Sequence, residues 1–124
     1  MMTSRPQRPS AGSASMRRMT AANLTSFVAE RVMGWTVGPD RFLTANRGWL
    51  RRSAFQPTER LQDAHRVLNA VTPSDFSMGG GIGKLAWAHV RVGDKSGRSS
   101  HQSLPIAICL ATLRALGIDI EVCD

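Results

Sequence analysis

The chain has 124 residues, of which 42% are apolar, and its formal net charge is +7. This length and composition predict one domain with one ordinary core. The sequence contains no apolar run close to the roughly 20 residues that a membrane-spanning helix needs. The first arginines are not followed by the apolar segment of a secretory signal. We therefore expect an intracellular protein that has no membrane partner.

The first 20 residues are rich in Ser, Arg, Pro and Ala and show no periodicity. They carry four arginines and no acid, so they hold +4 of the net charge of +7 and leave +3 for the rest of the chain. We expect residues 1–20 to be a disordered basic tail and residues 21–124 to form a single domain. The tail is either a non-native extension, with Met16 and Met19 as alternative starts, or an arm that binds phosphates.

Two stretches in the first part of the chain place apolar residues at helical spacing. The first begins near Asn23, which can cap a helix, and ends at Gly34. The second begins near Pro57 and Thr58 and ends before Pro73. Both therefore predict amphipathic helices with one buried face.

The clearest pattern lies at the C-terminal end. Ser103 can cap a third helix, and Pro105 is tolerated in a first turn because its missing N–H would have no partner there. Gly117 can adopt the left-handed conformation that ends a helix. Residues 118–122 then alternate apolar and polar side chains, which predicts a strand with one buried face.

Short apolar stretches between the helices predict strands at 35–37, 76–78 and 84–92, with a return strand at 99–102. Residues 41–55 are irregular and are expected to hold one short strand and a loop. Short turns between the middle strands favour antiparallel pairing. The fold class is therefore α+β, with about three helices stacked on a small, mainly antiparallel sheet.

The two faces of the predicted central strand at 84–92 differ in size. One face has only alanine and valine side chains, which let a helix lie close. The other carries Trp87, His89 and Arg91. This second face needs either another layer of the protein or a ligand.

Three segments together resemble the phage ABA sandwich domain, a family of small phage and prophage proteins. They are residues 29–35 at the end of the first helix, 55–64 at the start of the second, and 105–118 in the last helix. The likeness covers about residues 22 to 122. The resemblance implies a three-layer α/β/α sandwich of phage or prophage origin. It implies no settled activity and no catalytic residues.

The glycine-rich stretch 79–85 is similar to a phosphate-binding P-loop but departs from it. Gly79 is one residue too close to Gly83, and Leu85 stands where the P-loop has Ser or Thr. The stretch also leads into a strand instead of a helix, so an NTPase is excluded. Glycine amides with Lys84 could still bind an anion, although a hairpin turn is favoured.

The sequence offers no pattern for catalysis or metal binding. The three histidines lie on different predicted elements, and Cys109 and Cys123 are not in a CxxC motif. Cys109 lies on the apolar stripe of the last helix and is expected to be a small core residue. Acidic residues are few and scattered. We expect no enzyme activity, no metal site and no cofactor.

Tryptophan and arginine form the remaining candidate site. Indole rings stack on bases and guanidinium groups bind phosphates, a pairing that suits nucleotides. The alternative is that Trp35 and Trp87 belong to the core and that the arginines form a solvated face. The predicted ligand-binding residues are Arg47, Trp49, Arg51, Arg52, Lys84, Trp87, His89 and Arg91.

These features predict a non-enzymatic phage accessory protein of the host cell cytoplasm. It would bind and sequester a small anionic ligand, such as a host immune signalling nucleotide of cyclic ADP-ribose or cyclic oligonucleotide type. The pocket could form between copies, so a homo-oligomer is a candidate state. Two alternatives are a nucleic-acid-associated phage protein, which is less favoured, and an inhibitor that binds a host protein.

Overall fold

The computed structural model describes residues 16–44, 48–80 and 83–122. These ranges contain three α-helices, eight strands and one short 3-10 turn at Arg52–Ala54. The helices are α1 (Ala21–Arg31), α2 (Leu61–Ala70) and α3 (Leu104–Ala115). The strands are β1 (Met16–Met19), β2 (Thr36–Val37), β3 (Arg41–Leu43), β4 (Trp49–Arg51), β5 (Asp75–Gly79), β6 (Ala86–Val92), β7 (Lys95–His101) and β8 (Asp119–Val122).

The described strands form three small sheets. Strands β2, β3 and β4 make an antiparallel sheet in that order, here called the N-terminal sheet. Strands β5, β6 and β7 make a second antiparallel sheet, here called the C-terminal sheet. The predicted α+β class, the mainly antiparallel pairing and the three helices are confirmed, although the strands divide over several sheets.

Strand β1 lies in the segment that the sequence predicts to be disordered. It pairs in parallel with β8, with Met16 opposite Asp119 and Met19 opposite Val122. The described fold thus begins before the boundary predicted at residue 21. The reason is that β8 offers an open backbone edge, which local composition does not reveal. Residues 1–15 of the predicted tail lie outside the described residues.

Helix α3 is the centre of the molecule. Nine of its 12 residues are buried, as expected for a helix that is apolar on nearly all sides. It packs on β6 and β7 with one side and against α2 with another. The side chain of Ser103 accepts a hydrogen bond from the Ile106 N–H at its start. Gly117, with φ of +86°, follows its end, as the sequence predicts.

The central helix lies unusually close to the C-terminal sheet. Ala88 and Val90 on β6 are 1% exposed and face the helix, which confirms the role predicted for the small face of this strand. On β7, a Cβ added at Gly97 would lie 2.3 Å from the Ala111 carbonyl oxygen and 2.3 Å from the Ala115 nitrogen. Only glycine therefore fits at this position.

Three aromatic rings form the core beneath the N-terminal sheet. The centroids of Trp35 and Phe55 are 4.9 Å apart, and Phe42 lies 5.9 Å and 5.8 Å from them. Trp35 is only 7% exposed, so the core interpretation of this residue is confirmed. The guanidinium of Arg66 lies 5.7 Å from the Trp35 ring and 5.6 Å from that of Phe55. One face of the N-terminal sheet therefore packs against a cluster of aromatic rings.

Candidate ligand-binding site

The predicted ligand-binding residues fall into two groups in the structure. Trp49 and Arg51 lie on β4 of the N-terminal sheet, and Arg52 begins the 3-10 turn that follows. Trp87, His89 and Arg91 lie on β6 of the C-terminal sheet, and Lys84 is exposed in the loop before it. The structure therefore does not place them all on one sheet. Arg47 lies outside the described residues.

The register of the N-terminal sheet defines the exposed side of the first group. Arg41 on β3 is directly opposite Arg51 on β4, and Leu43 is opposite Trp49. Phe42, which lies between Arg41 and Leu43 on β3, points to the opposite face of the sheet and is fully buried. Because side chains alternate along a strand, Arg41, Trp49 and Arg51 share the outer face of this sheet.

Trp49 is the most exposed large apolar side chain among the described residues, at 61%. The guanidinium of Arg41 lies 5.3 Å from the centroid of its ring, a cation–π distance. Arg41 Nε is also 3.3 Å from a carboxylate oxygen of Asp40. The indole is thus held beside a cation but remains largely open to solvent.

The pairing of Arg41 with Arg51 is unfavourable for folding. Like charges directly opposite each other in an antiparallel pair destabilise a sheet. Asp40 partly offsets the charge of Arg41, whereas Arg51 has no ion pair with any described residue. A cation pair of this kind is stabilised when an anion lies between the two guanidinium groups.

Arg52 has a structural role as well as a place in the site. Its Nη1 donates to the Gly38 carbonyl oxygen at 3.3 Å, and its Nη2 donates to the Ser26 hydroxyl. Its guanidinium also lies 5.0 Å from the Phe42 ring. Arg52 therefore ties the 3-10 turn to α1 and to the turn before β3, and it also lines the site.

These residues line a groove of about 760 Å³, within the range of small-molecule sites. The part of the wall that is described contains three guanidinium groups, one carboxylate and one indole. The sequence already shows Arg41 among the arginines around Trp49, but the predicted ligand-binding residues did not include it, because only the strand register places Arg41 opposite Arg51. Asp40 was missed. The lining residues are Pro39, Asp40, Arg41, Trp49, Arg51, Arg52 and Ser53.

The described residues contain no cluster of three or more His, Cys, Asp or Glu side chains that could hold a metal ion. In the same part of the chain, no helix combines the length and the apolar character that crossing a membrane requires.

Cys109 is fully buried in α3, as expected from its place on the apolar stripe. Its Sγ donates to the Pro57 carbonyl oxygen at 3.5 Å. Burial raises the pKa of its thiol from 9.0 to about 12 because the thiolate would lose its hydration. The other cysteine, Cys123, lies outside the described residues.

We expect Cys109 to be inert towards thiol reagents while the protein is folded. Three pKa units lower the thiolate fraction at neutral pH by about a thousandfold, and the core excludes the reagent as well. A Cys123→Ser variant isolates Cys109 and can be titrated with a chromogenic disulfide at pH 8, with and without denaturant. Reaction only in denaturant is the expected result. Equal rates in both conditions would show that the thiol is accessible.

Comparison with known proteins gives a family and a fold. A search of curated proteins finds none that matches. The chain is similar to the crystal structure of a phage protein from Bacillus cereus ATCC 14579, with a TM-score of 0.68 and 18% identity over 83% of this chain and 93% of that chain. At this identity the likeness concerns the fold alone. The family model of the phage ABA sandwich domain matches residues 26–113. The chain therefore belongs to the phage ABA sandwich domain family.

Proposed function

We propose that this phage-family protein binds a small anionic ligand with a planar ring in the groove of the N-terminal sheet. The ligand is a nucleotide, and the protein sequesters it without chemical change. A host immune signalling nucleotide of cyclic ADP-ribose or cyclic oligonucleotide type fits this description, and it would be bound in the host cell cytoplasm. The observation that carries the proposal is the exposed Trp49 beside the opposed Arg41 and Arg51.

The two cations supply the anion-binding part of the site. A phosphate between Arg41 and Arg51 would receive charge-assisted hydrogen bonds from both, and it would remove the repulsion between them. Each such bond contributes about 1.5–3 kcal/mol. The net charge of the described wall is +2, from three arginines and one aspartate. The groove therefore favours a ligand with at least one negative charge.

The indole supplies a surface for the ring of the ligand. Trp49 and Arg51 are two residues apart on one strand, which places them about 7 Å apart on the same face. A nucleotide separates its base from its phosphate by a sugar, a spacing of similar size. The base can therefore lie against Trp49 while the phosphate lies between the arginines. Base–aromatic stacking contributes about 1–3 kcal/mol.

The described wall supports binding more than catalysis. Its one hydroxyl nucleophile candidate, Ser53, has no histidine or carboxylate base as a hydrogen-bond partner there. Arg52 is held by Gly38 and Ser26, so its part of the groove wall is already arranged before a ligand arrives. A prearranged site of this kind lowers the cost of ordering side chains on binding.

Calorimetry and intrinsic fluorescence test the proposal. The ligands are inorganic phosphate, adenosine, AMP, ADP, cyclic ADP-ribose and cyclic di-AMP, each at low and moderate salt. We expect at least one nucleotide to bind, to quench Trp49 and to be recovered unchanged. Trp49→Ala should weaken binding about tenfold or more, whereas Leu61→Ala, which truncates an exposed apolar side chain outside the groove, should not. The proposal fails if no nucleotide binds, or if Trp49→Ala binds as well as the native protein.

A further inference from the structure

We infer that the outer face of the C-terminal sheet is a second binding surface, and that it takes single-stranded nucleic acid. This surface is separate from the groove, since it lies on β5, β6 and β7 and none of its residues lines the groove. The inference does not depend on the nucleotide proposal.

The strand register shows which side chains share this face. On β6, Trp87, His89 and Arg91 alternate with the buried Ala88 and Val90, so they point away from α3. Their partners on the flanking strands are directly opposite and therefore on the same side. The face is formed chiefly by Ser77, Trp87, His89, Arg91, Arg98 and Ser100.

Trp87 lies across the neighbouring strand as a flat platform. A Cβ added at Gly79 would be only 2.8–2.9 Å from three atoms of its indole ring. The absence of a side chain at Gly79 thus allows the Trp87 ring to pack directly against the backbone of β5. The guanidinium of Arg98 is 5.8 Å from the ring centroid. An aromatic surface and a cation are therefore presented together.

The chemistry of this face favours a single strand of nucleic acid over a protein partner. Binding surfaces for single strands combine aromatic side chains, on which bases stack, with cations that follow the backbone. The cores of protein–protein interfaces instead are depleted in charged residues. Here the exposed Arg91 lies two residues after His89 on β6, and the exposed Arg98 lies directly opposite His89 on β7. Asp75 is the one acid on the described face. Hydroxyl groups of serine can donate to phosphate oxygens.

The test follows a 12-nucleotide oligothymidine by fluorescence in a Trp49→Phe background. In this variant Trp87 reports on the sheet, because the remaining Trp35 is buried. We expect the oligonucleotide to quench Trp87 and to bind less tightly as salt rises. Arg91→Ala with Arg98→Ala should weaken binding about tenfold or more, and should reduce the slope of log K against log salt by about 1.4, or 0.7 per lost phosphate contact.

Arg60→Ala is the control for the loss of a cation elsewhere, since Arg60 is exposed and lies on neither surface. It should leave the salt slope unchanged. All variants keep the basic N-terminal segment, so a difference between them cannot come from it. The inference is overturned if the double variant keeps the native slope, if Trp87 is not quenched, or if the quenching follows protein concentration and thus reports a second copy on this face.

Discussion

Replacing Gly97 with alanine should destabilise the protein by about 3 kcal/mol, one of the largest effects expected from a single methyl group here. The added Cβ would lie 2.3 Å from the Ala111 carbonyl oxygen and from the Ala115 nitrogen. Both are backbone atoms of the central helix, so no side chain can rotate away. The helix or the strand would have to move. Because α3 also packs against α2, such a movement would disturb both sides of the core.

The free energy of unfolding can be measured by urea titration of the variant and of a matched control. Gly48→Ala is that control, since among the described residues the nearest atom to its new Cβ would be the Thr44 hydroxyl oxygen at 3.6 Å, an ordinary contact. It should change the free energy of unfolding by less than about 1 kcal/mol, because the new methyl group makes only an ordinary contact and alanine reduces the conformational entropy of the unfolded chain. Similar effects of the two substitutions would show that the packing of α3 against β7 does not require glycine at position 97.

The third helix could be predicted from the sequence because its signals are local. Ser103 accepts the Ile106 N–H and Gly117 adopts a positive φ, as their positions in the chain suggest. The division of the β6 side chains into a small face and a polar, aromatic face was equally visible. These features depend on residues a few positions apart, and the structure confirms them.

Strand β7 shows where sequence reasoning stops. Lys95–His101 contains no large apolar residue, so most of it resembles a polar turn. Its inward positions are Gly97 and Ser99, which are small because the helix lies so close. The strand is thus determined by a distant partner and not by its own pattern. The same reason explains why β1 was missed.

The candidate site was only partly predictable for a related reason. Trp49 and Arg51 stand out by composition, but the opposition of Arg41 to Arg51 depends on the register of β3 and β4. The order of the strands also separates Trp49 from Trp87, which the sequence alone groups together. Long-range pairing therefore turned one predicted set of residues into two surfaces.

Arg51→Glu should separate stability from binding, and it is the sharpest test of the groove. The glutamate would lie opposite Arg41 and form a cross-strand ion pair in place of the present repulsion. We expect the free energy of unfolding to rise by about 0.2–1 kcal/mol. The nucleotide that binds tightest to the native protein should bind about a hundredfold more weakly, because a cation is lost and an anion repels the phosphate.

Urea titration and calorimetry on the same preparation measure both quantities. Arg60→Glu makes the same charge change at an exposed position outside the groove. At the same ionic strength, its nucleotide affinity should stay within about twofold of the native value, because salt screens distant charges. If the variant is more stable yet no longer binds, the opposed arginines contribute to ligand binding at a cost in stability. If Arg51→Glu instead lowers stability and leaves affinity intact, the cations are not opposed in the folded protein and the anion is held elsewhere.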